Sequence, residues 1–175
     1  MTMGGSHAGE LLPVRAIGRI RTPFFGGVGT PIQPAFSQGA AGQVVVDPAY
    51  ADALDDLDGF ERAWLLFWMD RAKPSRNHVI PYRDHRERGL FSTRSPSRPN
   101  PIGLSVVRLL SVERNRIEFE GVDLLDGTPV LDIKPYVPEF DAEEHIRLGW
   151  LEQARRRAAV SDGRFRGDDD GGGNA

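Results

Sequence analysis

The sequence predicts a mainly β protein, an antiparallel barrel or sandwich with a few short peripheral helices. Three observations predict it. Short β-branched or aromatic runs recur on both sides of one long irregular stretch, no βαβ alternation runs along the chain, and segments with helical spacing are few and short. The second observation argues against a doubly wound nucleotide-binding sheet, and no internal repeat is present.

At 175 residues the chain is most simply one domain with its own core. Its 39% hydrophobic and 27% charged residues are those of an ordinary soluble protein. The absence of cysteine excludes disulfides, thiolate-ligated zinc and thiol nucleophiles. The longest apolar run, Ala63 to Met69, is too short to span a bilayer as a helix, and no secretory n-region and h-region open the chain, so a cytoplasmic protein is expected.

In chain order, residues 1–12 carry no period and read as a disordered lead-in to a barrel domain over 13–141. Val14 to Arg21 alternates loosely as a strand. Thr22 to Ala41, with Gly26, Gly27, Gly29, Pro23, Pro31 and Pro34, reads as a long irregular loop. Its Gly26 to Thr30 run is not a phosphate loop, because no Gly-Lys-Ser/Thr follows and Pro31 blocks a helix start. Gln43 to Val46 is a short strand. Asp47 with Pro48 then opens a short amphipathic helix bearing Tyr50, Leu54 and Leu57 on one face, and Gly59 closes it in a left-handed conformation.

Ala63 to Met69 is continuous and aromatic, a core strand buried on both faces. Asp70 and Arg71 emerge from its end, where residues that line a site commonly sit. Lys73 to Arg88 is polar and broken by Pro74 and Pro81, an exposed, mobile loop; His78 and His85 within it lack a third ligand at useful spacing and read as solvated. Leu104 to Val112 and the alternating Ile117 to Glu120 form a hairpin about Glu113 to Arg116. Asp126-Gly127 is a tight turn, after which Val130 to Lys134 resumes as a strand. A C-terminal helix is expected over 142–160, with Asp141 and Glu144 as a capping box, Ile146, Trp150 and Ala154 on one face and Arg155, Arg156 and Arg157 at its end. Residues 161–175 read as a disordered tail.

Phe91 to Gly103, F-S-T-R-S-P-S-R-P-N-P-I-G, organises the chain. Pro96, Pro99 and Pro101 fix three φ angles and push Ser95, Arg98 and Asn100 out of the helical region. The resulting stiff loop holds Arg94 and Arg98 at defined positions, and a planar guanidinium so held suits a carboxylate or phosphate. The net charge of −3 conceals a segregation: Arg71 to Arg116 holds eleven Lys or Arg against three acids, while Asp47 to Asp70 has seven acids to one Arg and Ile117 to His145 nine acids to one Lys. A basic middle in an acidic frame is either a polyanion footprint or a set of strands whose charges cancel in space.

Two blocks, T-R-S-P-S-R-P-N-P-I-G-L-S at Thr93 to Ser105 and D-L-L-D-G-T-P-V-L-D-I-K-P-Y at Asp123 to Tyr136, closely resemble the signatures of the TrmO family, also called TsaA-like. A-I-G-R-I-R-T-P-F at Ala16 to Phe24 and F-E-R-A-W-L-L-F-W at Phe60 to Trp68 resemble the same family in the same order. The resemblance implies a β-barrel methyltransferase using S-adenosylmethionine, usually a homodimer, that methylates the exocyclic nitrogen of threonylcarbamoyl-adenosine beside the anticodon of tRNA. It implies cofactor contacts from Pro31, Ile32 and Gln33, from Asp70 and Arg71, from Arg94, from Leu104, and from Leu124, Leu125, Asp126 and Gly127. Ile32 stands where the family pattern has arginine, and Asp70-Arg71 where it has His-Gln. Within this reading Arg94 takes a carboxylate of cofactor or acceptor, Asp126 with Gly127 takes the ribose and adenine end, and Asp70 is the candidate base. Arg98 and Tyr136 complete the candidate catalytic set. A small-molecule acceptor on the same barrel, and a non-catalytic S-adenosylmethionine-binding protein, are the alternatives.

Overall fold

The computed structural model describes residues 11–154 and 158–167. Six strands close into an antiparallel barrel: β1 (Gly18–Arg21), β3 (Ala41–Val46), β8 (Arg116–Glu120), β7 (Ile102–Glu113), β4 (Arg62–Trp68) and β9 (Pro129–Pro135), neighbours in that order, with β9 pairing back onto β1. Closure leaves no free edge among these six. β7 is twelve residues long because it serves two partners: Ile102 to Arg108 pair with β4, and Arg108 to Glu113 pair with β8 across a register shift between Leu109 and Ser111. Such a shift adds local twist, which lets one strand turn from one neighbour to the next.

Alternation decides what fills the barrel. Ile20, Val44, Val46, Leu65, Phe67, Val107, Ile117, Phe119 and Val130 point inward and form the core. β4 buries Ala63, Leu65 and Phe67 but leaves Trp64, Leu66 and Trp68 half-covered, so the strand expected to be buried on both faces has one core face only. A closed barrel covers one face of each strand, and an apolar outer face then needs only partial cover. Gly103 is required where β7 crosses β4, because a Cβ there would fall inside the Phe67 ring.

Asp47 caps as expected, its Oδ1 accepting from the Ala49 N–H at 2.9 Å. The segment it opens is a 3-10 turn over Pro48–Leu54 rather than an α-helix, followed by a second over Leu57–Gly59. Asp56, at φ 64°, takes the left-handed conformation expected of Gly59. The Thr22 to Ala41 loop contains a strand, β2 (Val28–Pro31), and a 3-10 turn, Pro34–Phe36. The Lys73 to Arg88 loop carries β5 (His78–Val79), paired with β6 (Arg88–Gly89). Asp84 ties its tip by accepting from Arg88 Nε and the His85 N–H, both at 2.7 Å.

The C-terminal segment departs most from the sequence reading. No α-helix runs over the described residues of 142–160: the one α-helix among the described residues, α1 (Pro138–Asp141), is a single turn, and a 3-10 turn covers Gly149–Gln153. His145 at φ 60° and Gly149 at φ 59° lie in the left-handed region, which a right-handed helix cannot pass through. Asp141 bonds backward, its Oδ2 accepting from the Val137 N–H at 2.7 Å, instead of capping forward. Arg155, Arg156 and Arg157 lie outside the described residues. The expected disordered tail begins with a strand, β10 (Val160–Asp162), which pairs with β2. Phe165 follows, 8% exposed, against Val79 and Leu90 and edge-on to Tyr82 at 5.1 Å. An aromatic with a pocket to enter overrides the polar composition around it. Residues 168–175, and 1–10 of the expected lead-in, lie outside the described residues; Leu11 and Leu12 are exposed. Among the described residues no helix is long and apolar enough to cross a membrane.

Candidate active site

A cavity of about 800 Å³ opens over the end of the barrel where β4 finishes and β7 begins. The proline loop forms one wall. Ser95 and Ser97 are buried and Met69 N–H donates to Pro101 O at 2.7 Å, so the loop is packed onto the β4 end rather than lying free on the surface. Arg98 braces it from within: Nη1 donates to Thr93 O at 2.9 Å, with Leu90 O and Ser95 O at 3.5 Å, and the guanidinium lies 5.4 Å from the Phe91 ring centroid. Arg94, by contrast, is exposed toward the cavity and makes one side-chain bond, from Nη1 to Gln33 Oε1 at 2.5 Å. Pro31, Ile32 and Gln33 form the facing wall, held by Ile32 N–H donating to Ala159 O at 3.0 Å.

Asp70 and Arg71 stand at the rim, 3.8 Å apart, and Arg71 Nη2 donates to Asp126 O, tying the β4 end to the 126–127 turn. Leu104, Leu124 and Leu125 line the cavity. Asp126 and Gly127 do not. Asp126 is turned away, with Oδ1 accepting from the Thr22 N–H at 3.1 Å and Oδ2 facing Arg21 Nη1 at 3.4 Å. Gly127, at φ 79°, completes the turn and its carbonyl accepts from Arg19 Nη1 at 2.9 Å. Tyr136 is also outside: it follows β9 at the opposite end of β4, where its N–H donates to Arg62 O and its ring meets Trp64 at 5.7 Å. Of the expected set, Pro31, Ile32, Gln33, Asp70, Arg71, Arg94, Arg98, Leu104, Leu124 and Leu125 share one cavity, and Asp126, Gly127 and Tyr136 fall outside its lining.

Besides Asp70 at the rim, a second carboxylate lines the cavity, that of Asp123. Ser105, the inward-facing residue of β7 between Gly103 and Val107, donates its hydroxyl to Asp123, with Oγ at 2.9 Å from Oδ1 and 3.1 Å from Oδ2. Burial pushes the Asp123 carboxyl up to about 7, opposed by the Ser105 hydroxyl, by its own backbone N–H and by the charge of Arg94. The sequence carried a signal for this pair: Ser105 is the single hydroxylated residue at the inward parity of an otherwise apolar half-strand. Trp150 was expected on a helix face. It instead closes the cavity side, with Nε1 donating to Ser92 O at 2.8 Å and Arg88 over its ring at 5.4 Å. Phe165 and Arg166 bring the tail into the lining. Arg83 lines it too, its guanidinium 5.9 Å from the Phe36 ring centroid and its Nε buried without a partner.

Five arginines (71, 83, 94, 98 and 166) against two aspartates (70 and 123) make the lining cationic. Elsewhere the basic segment is partly neutralised: Arg88 pairs with Asp84 and Arg108 with Glu120. Among the described residues no group of three or more His, Asp or Glu is placed to hold a metal ion.

A small closed barrel with a nucleoside-sized, arginine-lined cavity at one end defines a class of small-molecule-binding barrel. The chain matches the model of the tRNA-methyltransferase O N-terminal domain over residues 19–142, and it belongs to that family. It is 45% identical over 153 residues to a probable S-adenosyl-L-methionine-binding protein of Pyrococcus abyssi, an alignment covering 86% of this chain and 83% of that protein. It is 34% identical over 167 residues to the mouse tRNA (adenine(37)-N6)-methyltransferase, covering 90% of this chain and 38% of the mouse protein. The crystal structure of TrmO from Pseudomonas aeruginosa superposes with a TM-score of 0.67 at 40% identity, covering 79% of this chain and 62% of that one.

Proposed function

We propose that this chain is an S-adenosylmethionine-dependent methyltransferase acting on an exocyclic adenosine nitrogen beside the anticodon of tRNA, with threonylcarbamoyl-adenosine as the acceptor. It works as a homodimer in the cytoplasm. The observation that carries the reading is the cavity itself: a cationic rim and a single deep carboxylate, built from the Arg94 and Asp123 blocks.

The lining fits the cofactor. A sulfonium nucleoside bearing an amino acid needs an apolar slot for its base, a guanidinium for its carboxylate and a buried acceptor for its polar groups. Phe36, Leu124 and Leu125 offer the first, Arg94 the second, and backbone carbonyls of the lining the third. Arg83 Nε, buried without a partner, marks a second point at which this wall suits an anionic group. When bound, S-adenosylmethionine supplies an activated methyl carbon on a good leaving group. The protein's part is then to hold, orient and desolvate. Arg94 holds the anionic end, Arg98 keeps the loop beneath it stiff, and Trp150 shields one side from water.

Incubation with S-adenosylmethionine and tRNA carrying unmethylated threonylcarbamoyl-adenosine, followed by nucleoside mass spectrometry, tests the reading. One added methyl on that nucleoside is expected, and none would overturn it. Ile32 and Asp70, both on the cavity wall, depart from the family pattern on the side that would meet the acceptor. They support a second reading, a small-molecule acceptor, which the same assay separates when run with metabolite pools.

A further inference from the structure

We infer that Asp123 is the proton acceptor for the methylated nitrogen and that Ser105 is its positioning residue. This rests on the methyl-transfer reading above. An exocyclic nitrogen that gains a methyl must lose a proton, and a base has to stand inside the cavity to receive it. The cavity wall holds two carboxylates, Asp70 and Asp123. Asp70 is exposed at the rim beside Arg71, at 3.8 Å, and Arg71 is itself committed to Asp126 O. Asp123 lies on the floor, where one hydroxyl spans both of its oxygens.

That hydroxyl suits either protonation state. Ser105 Oγ donates to the carboxylate and accepts from the carboxylic acid without a change of position, so the proton can arrive without leaving a buried group unsatisfied. The charged groups sharing the cavity are Asp70, Arg71, Arg83, Arg94, Arg98 and Arg166. Of these, Arg94 acts on Asp123 directly and favours its charged form, while burial opposes it more strongly. The balance leaves the carboxyl near the middle of the physiological range, where a general base both exists deprotonated and binds a proton firmly. In the step itself the acceptor nitrogen forms its bond to the methyl carbon as the carbon–sulfur bond breaks, with that electron pair staying on sulfur. The N–H proton passes to a carboxylate oxygen of Asp123 and leaves to water through the cavity mouth before the next turnover.

Three measurements on the full chain test this. Calorimetry with S-adenosylmethionine should find Asp123→Asn within about threefold of the parent affinity, while kcat on tRNA falls on the order of a hundredfold or more and the rising limb of the pH profile near pH 7 disappears. Carboxyl NMR of the ligand-free parent should show one aspartate titrating near pH 7 that is absent in Asp123→Asn. Ser105→Ala should move that titration and the pH limb together, which a purely structural serine would not do. Parent-like kcat with an unchanged limb in Asp123→Asn would overturn the assignment. So would a loss of cofactor affinity as large as the loss in kcat, which would make Asp123 a cofactor ligand. If the parent methylates no tRNA, the tRNA reading fails separately; the NMR titration then decides for Asp123, and an ordinary carboxyl range would overturn it.

Discussion

Asp123 and Asp126 stand three residues apart on the segment joining β8 to β9, yet they meet opposite surroundings. Asp126 is ringed by donors, the Thr22 N–H and Arg21, and its own carbonyl and N–H are taken by Arg71 and Phe24 O, so it locks a corner of the barrel. Asp123 has one hydroxyl, its own backbone N–H and a cavity. A carboxylate fully supplied with donors is architecture, and one that burial has starved of them keeps the capacity to take a proton. The proline loop repeats the contrast in the opposite sign. Arg98 spends its guanidinium on the loop's own carbonyls, whereas Arg94 reaches outward with a single partner.

The largest effect expected from this contrast concerns stability. Burial favours the protonated Asp123 in the folded chain, so the group's contribution to stability is complete below pH about 4 and is lost as pH rises through about 7. Asp123→Asn is never charged. The variant should therefore match the ligand-free parent at pH 4 and exceed it above pH 7, by about 4 kcal/mol at most, read as a gap in urea midpoints that opens with pH. A gap independent of pH would break the comparison.

Next come the arginines. Arg94→Ala should weaken S-adenosylmethionine binding about ten- to a hundredfold, the range of one charge-assisted bond, with the urea midpoint unchanged. Arg98→Ala should reverse the pattern by lowering stability about 1–3 kcal/mol, since buried loop carbonyls lose their donor. Equal affinity losses without destabilisation in both would erase the distinction. Asp126→Ala should cost about 1–2 kcal/mol by stranding the N–H of buried Thr22, with kcat unchanged per folded molecule. The smallest effect belongs to Trp150→Phe, which keeps the ring over Arg88 but drops the bond to Ser92 O. A loss of about 1 kcal/mol in the local stability of the 3-10 turn Gly149–Gln153, seen as faster hydrogen exchange there, is the expected readout.

Much of this molecule was legible in its residues. Alternation along Val14 to Arg21 and Ile117 to Glu120 marked strands with one inward face, and three prolines specified a rigid loop presenting Arg94. Both depend on local geometry, on side-chain parity and on a fixed φ. What folding alone decided was nonlocal. Asp126, and not Asp123, found the Thr22 N–H, 104 residues away. Tyr136 ended at the far end of β4. Phe165 found a pocket between Val79 and Leu90 and drew the tail into the cavity wall. Two left-handed residues, His145 and Gly149, ended a helix whose spacing looked sound. A side chain's chemical type is written in the chain, but whether it ends up satisfied or available depends on which donors the closed barrel brings beside it.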